Sequence, residues 1–202
     1  MTHQYSYPVM ESYYTLQGEG YHAGSAAYFI RLAGCNIGCH WCDVKESWDA
    51  NNHPLVTIDT LLSDIKNTAT RLVVITGGEP TIYNLDPLVC ALHTVGYKVH
   101  IETSGAYHTA APIDWICISP KKFKAPIANM ITKAHELKVI ICNKSDFDWA
   151  EKHAALAPTS CKLYLQPEWS VMDKINPFII EYIHQNPQWQ LSLQTHKYLN
   201  IP

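Results

Sequence analysis

The sequence predicts an α/β protein, a partial, open (β/α)6-type barrel formed as a single domain over residues 1–202. Three observations carry this expectation. Strand-length apolar runs alternate with helix-period stretches about six times, the signature of βα units. The runs are nearly continuously apolar, as strands of a parallel sheet covered on both faces must be. And 202 residues fall short of the roughly 250 of a closed (β/α)8 barrel.

Taken in order, AAYFIRL at 26–32 is the first strand, a short run of β-branched and aromatic side chains. TIDTLLSDIKNTA at 57–69 has helical spacing, and RLVVIT at 71–76 is the next strand. NLDPLVCALHTVG at 84–96 reads as a helix before the strand YKVHIET at 97–103, and DWICIS at 114–119 is a further strand. The stretch 126–138 reads as a helix running into the strand LKVIIC at 137–142. A helix at 147–157, the strand KLYLQP at 162–167 and a helix at 176–186 complete the pattern. No Pro/Gly/Ser-rich linker, low-complexity tract or repeat divides the chain.

Ligands of such folds sit beyond the carboxyl ends of the strands, and the unusual polar motifs fall there. RLVVIT is followed by Gly77-Gly78-Glu79-Pro80, YKVHIET runs into Glu102-Thr103-Ser104-Gly105, DWICIS into Ser119-Pro120-Lys121, and KLYLQ into Gln166-Pro167. YFIRLAG delivers a cysteine loop. Gly-Gly-Glu-Pro by itself is ordinary turn punctuation; its glycines would let main chain approach a ligand closely.

A formal net charge of −3 and an apolar fraction of 47% give no nucleic-acid footprint and leave room for a sizeable core. The basic run Lys121-Lys122-Phe123-Lys124 reads as a solvated loop or a contact for a small anion. The aromatic, polar start of the chain is no signal peptide, and no apolar run approaches the ~18 residues of a membrane span. A cytoplasmic location, where thiols stay reduced, is expected.

Cys35, Cys39 and Cys42, in RLAGCNIGCHWCD, supply three thiolates. A cubane [4Fe-4S] cluster on three cysteines keeps one iron open for a small molecule. A structural zinc would want a fourth N or S ligand, and His40 between two of the cysteines would strain so short a loop. Cys90, Cys117, Cys142 and Cys161 stand singly in apolar stretches, where a small buried hydrophobe is expected.

At this motif the chain resembles the radical S-adenosylmethionine (SAM) superfamily. Read together, TLQGEG at 15–20, the cysteine loop, VVITGGEP at 73–80, IETSG at 101–105, ISPK at 118–121, LQP at 165–167 and QTHKYLNIP at 194–202 are similar to the 7-carboxy-7-deazaguanine synthase family. That resemblance implies cleavage of SAM at the open iron to a 5′-deoxyadenosyl radical. It further implies ring contraction of 6-carboxy-5,6,7,8-tetrahydropterin with loss of ammonia, an external electron donor and a homodimer. SAM contacts would fall on Trp41, Cys42, Asp43, Gly78, Glu79, Ser119, Pro120, Lys121 and Gln166. Glu79 and exposed main chain beside it would take the methionyl ammonium. Pterin contacts would fall on Leu16, Gln17 and Gly18 through main-chain groups, on Arg31 for the carboxylate, on Thr76 and on the Pro202 terminus, with Glu19 and Glu102 as further polar contacts. The terminal segments would complete the substrate site. Where the family usually has a Thr associated with Mg2+, this chain has Val44, which has no side-chain oxygen for a hard cation; neighbouring oxygens such as Asp43, the substrate and waters are then the available ligands. Two other readings share the cysteine loop: a radical SAM activase acting on a partner protein, and a zinc-binding interaction module.

Overall fold

In a computed structural model, which describes residues 5–202, nine strands form one continuous sheet in the order β3-β1-β2-β4-β5-β6-β7-β8-β9. Residues 1–4, at the head of the stretch read above as no signal peptide, lie outside the described residues. The strands are β1 Ser6–Leu16, β2 Ala26–Leu32, β3 Leu55–Thr57, β4 Leu72–Gly77, β5 Lys98–Thr103, β6 Trp115–Ile118, β7 Glu136–Ile141, β8 Lys162–Pro167 and β9 Trp189–Leu191. Every neighbouring pair from β2 to β9 is parallel. β1 runs antiparallel to β2, and β3 antiparallel to β1. The helices are α1 Ile58–Ile65, α2 Asp86–Thr94, α3 Ala128–Ile131, α4 Ser145–Ala154, α5 Met172–Gln185 and α6 Thr195–Leu199.

Side chains alternate across each strand, and this period separates core from site. Ile30, Leu32, Val73, Ile75, Val99, Ile101, Leu137, Val139 and Leu165 face outward and pack with Leu61, Ile65, Leu88, Leu92, Ala150 and Ile179 of the helices. The alternate positions Arg31, Thr76, Glu102, Lys138 and Gln166 face the inside of the curled sheet, where they line one cavity. The inner face is therefore polar toward the carboxyl end, although the strand runs read as apolar throughout.

The predicted strands coincide with β2, β4 to β8 within about a residue at each end. Several elements differ from expectation. β1 was not anticipated: Tyr7 and Val9 are buried while its later residues are mostly half-exposed, so its pattern is that of an edge-side hairpin strand. The helix expected over 126–138 shrinks to α3, because Glu136 already pairs with Cys117 and Lys162 as the first residue of β7. Burial of Met130, Ile131 and Ala134 is satisfied by one turn and a return to the sheet. Pro177 lies inside α5, which starts a turn earlier than expected, at Met172. β3, β9 and α6 are too short to carry a period of their own. Cys117 and Cys161 are buried as expected, but Cys142 is half-buried and Cys90 exposed: Cys90 stands on the outer face of α2, whose buried stripe is Leu88, Val89, Ala91 and Leu92.

The basic run is a turn exposed at Lys122 and Phe123, and its three lysines are each tied down: Lys121 Nζ donates to Ser119 Oγ at 2.7 Å, Lys122 pairs with Asp146 at 2.5 Å, and Lys124 bonds the Tyr107 hydroxyl and lies 4.1 Å from its ring centroid.

Candidate active site

The cysteine loop leaves β2 after Leu32 and is held from several sides. Gly34 N donates to Ser47 O at 2.6 Å, Cys35 N to Trp48 O at 3.1 Å and the Tyr83 hydroxyl to Ala33 O at 2.8 Å. The Gly-Gly-Glu-Pro turn docks directly on it, with Gly78 N donating to Leu32 O at 3.0 Å and Glu79 N to Gly34 O at 2.9 Å. This contact explains both glycines. Gly77 has φ +145, and a Cβ there would lie 2.0 Å from Leu32 O; one on Gly78 would lie 2.5 Å from Gly34 O. The close approach they permit is therefore to the cysteine loop.

Glu79 follows the same logic. It is 1% exposed, and its Oε1 accepts from Thr81 N at 3.1 Å, Thr81 Oγ1 at 2.6 Å and Thr103 Oγ1 at 2.5 Å. Its Oε2 accepts from Ser104 N at 2.8 Å and from the Ser104 hydroxyl. A carboxylate offers about four lone-pair directions, so these donors saturate it. Glu79 lines the cavity but fastens the turn to the end of β5.

The three thiols pack with Ile37, Ala106, Trp41 and Tyr107. Burial pushes the Cys39 thiol up to about 11, against the pull of the Lys121 ammonium. Burial also raises Cys35, against the main-chain N–H groups of Ile37 and Gly38 that face its sulfur. Donors and a cation around sulfur favour thiolate once a metal centre replaces the proton. Among the described residues no three Cys, His, Asp or Glu side chains converge on one point as ligands of a single ion.

A cavity of about 380 Å³ opens beside this loop. It is lined by Leu16, Gln17, Gly18, Glu19, Arg31, Cys35, Cys39, Trp41, Cys42, Asp43, Val44, Thr76, Gly78, Glu79, Glu102, Ser119, Lys121, Gln166 and Pro202. Of the expected contacts, Pro120 alone is absent from the lining: it is buried, and its carbonyl accepts from Trp149 Nε1 of α4 at 3.4 Å. Lys121 lies 4.9 Å from the Trp41 ring centroid. Arg31 donates Nε to Glu11 Oε1 at 2.6 Å and Nη2 to the Tyr13 hydroxyl at 3.0 Å, which fixes the guanidinium and leaves the rest of its five donors free. The main chain of the 16–18 segment is less open than expected. Gln17 N donates to Ser25 O, its carbonyl accepts from Gly24 N, and Gly18 O accepts from Thr195.

The sequence reading missed the other half of the polar lining. Lys138, Gln194, His196 and Lys197 also face the cavity. Lys138 Nζ bonds Glu19 Oε2 and, at 3.1 Å, Glu102 Oε2. Gln194 Nε2 bridges Glu19 Oε1 at 2.9 Å and Asp43 Oδ2 at 3.2 Å, and Lys197 Nζ reaches the same Asp43 oxygen at 2.8 Å. Burial would raise Asp43, but Lys197 and Gln194 hold it below the usual carboxylate range. A lysine inside the strand-length apolar run LKVIIC was the available signal for Lys138; α6 offered none, because its contacts depend on where the chain returns. Val44 brings no side-chain oxygen to this corner, and Asp43 has its Oδ2 engaged by Gln194 and Lys197.

A parallel open barrel carrying three cysteines on the loop after its first parallel strand defines the radical SAM class, and the radical SAM superfamily profile matches residues 29–135. The 7-carboxy-7-deazaguanine synthase of Flavobacterium psychrophilum is 53% identical over 195 residues, covering 96% of this chain and 92% of that protein. The enzyme of the same name from Synechocystis sp. is 47% identical over 97% of this chain and 94% of its own length. The crystal structure of QueE from Escherichia coli superposes with a TM-score of 0.85 at 32% identity, covering 95% of each chain. The chain belongs to the 7-carboxy-7-deazaguanine synthase family.

Proposed function

We propose that this protein makes 7-carboxy-7-deazaguanine by contracting the ring of 6-carboxy-5,6,7,8-tetrahydropterin, expelling one nitrogen as ammonia. The observation that carries the reading is the single cavity on which the cysteine loop, the QGE segment, Arg31 and the carboxyl-terminal helix all converge. Cys35, Cys39 and Cys42 would hold a [4Fe-4S] cluster, with Trp41, Ser119, Lys121 and Gln166 beside SAM. When bound, cluster and SAM supply an oxidant able to take hydrogen from an unactivated carbon. The chain's own residues bind and aim the substrate. Arg31, braced by Glu11 and Tyr13, presents its remaining donors to the pterin carboxylate. Thr76, in register with Arg31 on the neighbouring strand, adds a hydroxyl. Glu19 and Glu102 accept from ring N–H groups, and α6 with Pro202 covers the site against water.

The reading includes a single domain completed by its terminal segments, a cytoplasmic homodimer and an external electron donor; any Mg2+ would be held by substrate and water. No helix among the described residues is long and apolar enough to cross a membrane. Anaerobic turnover tests it. Product and ammonia should form one for one, and deuterium at the reacting carbon should appear in recovered SAM. Cys39→Ala should remove iron and turnover together, while Cys161→Ala keeps both and costs roughly 1 kcal/mol of stability. A colourless protein, or SAM cleaved stoichiometrically without label return, counts against it.

A further inference from the structure

Across the cavity wall runs a row of side chains whose hydrogen bonds are fixed at both ends. Gln17 Nε2 donates to Glu102 Oε1 at 2.8 Å, and Gln194 Nε2 to Glu19 Oε1 at 2.9 Å. Between the two carboxylates sits the Lys138 ammonium, its side chain 3% exposed, bonded to the remaining oxygen of each. Burial alone would lower Lys138, but Glu102 and Glu19 hold it well above its ordinary range. Burial would likewise raise Glu19, but Lys138 holds it below the usual carboxylate range. Lys138 and Glu19 are therefore both charged near neutral pH. An ammonium has three donors and each carboxylate oxygen can accept more than one bond. Two of the ammonium donors are engaged within the row, which leaves one more on a side chain that lines the cavity. Toward a ligand, the row thus reads acceptor, donor, acceptor.

We propose that Glu19, Lys138 and Glu102 select the oxidation state of the pterin, admitting the tetrahydro ring and rejecting its oxidised form. The inference rests on the functional reading above. A pterin has two edges that could meet this row. One presents N3–H, O4 and N5; the other presents the 2-amino group, N1 and N8. Both read donor, acceptor, donor when the second ring is reduced, because N5 and N8 then carry hydrogen. In the oxidised ring these nitrogens carry only a lone pair, which would face a carboxylate. Whichever edge docks, one flanking bond is lost and replaced by repulsion, and a site built to accept a hydrogen bond discriminates strongly against a ligand without the donor. Lys138 contributes the central donor, and its ammonium sits between the two carboxylates, bonded to both.

Anaerobic titration calorimetry of the cluster-loaded protein with 6-carboxy-5,6,7,8-tetrahydropterin and with oxidised 6-carboxypterin tests this. Lys138→Met would leave two carboxylates facing each other in a buried space, so the shape-conserving Glu19→Gln and Glu102→Gln carry the test, each checked by thermal melting. The wild type should bind the reduced ligand at least about tenfold more tightly, the scale of one charge-assisted hydrogen bond. One of the two Gln variants should bring the ratio below about threefold, chiefly by improving the oxidised ligand, since a neutral amide removes the carboxylate charge that faces the ring nitrogen's lone pair. Arg31→Met should weaken both ligands alike, because both carry the carboxylate. Equal binding of the two ligands to the wild type, or a ratio unchanged in both Gln variants, would overturn the selection. If neither ligand binds the wild type, the functional reading fails with it.

Discussion

Glu79 receives donors on both oxygens from Thr81, Thr103 and Ser104, which makes it a fastening between the turn after β4 and the end of β5. Glu79→Gln puts an NH2 against one of these donor sets, so at least one main-chain N–H loses its acceptor, at a cost of about 1–3 kcal/mol. The melting temperature should fall while SAM affinity changes little; a large loss of SAM binding at unchanged melting temperature would give the carboxylate to the ligand instead. His100 makes a second prediction at this scale. Burial first, then the nearby His22, Lys98 and His135, with Asp114 opposing, bring it down from its ordinary 6.5 to about 4. The unfolded chain therefore takes up the proton first as pH falls, and the stability tied to His100 is complete above 6.5 and declines toward 4. Between about pH 7.5 and 5.5 the linked loss is on the order of 1 kcal/mol. Urea midpoints should fall less over this interval in His100→Phe than in the wild type.

At the level of elements, α6 is short, yet it joins several parts of the site. Thr195 donates to Gly18 O, Lys197 and Gln194 hold Asp43 next to Cys42, and His196 packs where a Gly18 Cβ would come within 2.2 Å of its ring nitrogen. Lys197→Met removes the pair with Asp43. Because Lys197 is 21% and Asp43 53% exposed, the pair is worth at most about 1 kcal/mol, and substrate affinity should fall by roughly two- to fivefold. Hydrogen exchange at residues 194–202 should rise with it, and unchanged exchange would show that the helix is held by other contacts. The contrast with the parallel strands shows what was legible. A strand such as β8 carries its own period, and the pattern of that strand alone assigns Gln166, next to its carboxyl end, to the rim. Helix α6 carries no period, and its importance lies in partners more than a hundred residues away in sequence. β1 was hidden differently: tyrosines on half-exposed positions blur the alternation that identifies a strand.

At the scale of the whole molecule, the difficulty of an open barrel is that its lumen can be reached from the side where the sheet does not close. The loop between β1 and β2 meets this need. Gly20 N donates to Ser192 Oγ at 3.0 Å, Tyr21 N donates to Glu136 Oε2 at 3.3 Å, and the Tyr21 ring stacks on Trp115 with centroids 5.1 Å apart. One loop from the start of the chain thereby ties the first hairpin to β6, β7 and the segment after β9. The same loop supplies Gln17 and Glu19 to the cavity, so closure of the fold and construction of the site depend on one segment. TLQGEG was legible as a motif, but its structural half was not, because nothing local marks a glycine whose neighbour is a carboxylate from another strand. Gly20 has φ +66, and a Cβ there would lie 1.8 Å from Glu136 Oε1. Gly20→Ala must therefore bear left-handed backbone strain and displace a buried carboxylate, together roughly 2–4 kcal/mol. Denaturant midpoints should fall accordingly, and pterin affinity should drop in the folded fraction because Glu19 moves with the loop. Gly24 in the same loop is the internal control: its φ is +88 but a Cβ there meets nothing within 4 Å, so Gly24→Ala should show only the smaller backbone cost of about 1 kcal/mol and leave pterin binding intact. Equal losses in the two variants would mean that backbone strain alone, and not the contact with Glu136, sets the requirement for glycine.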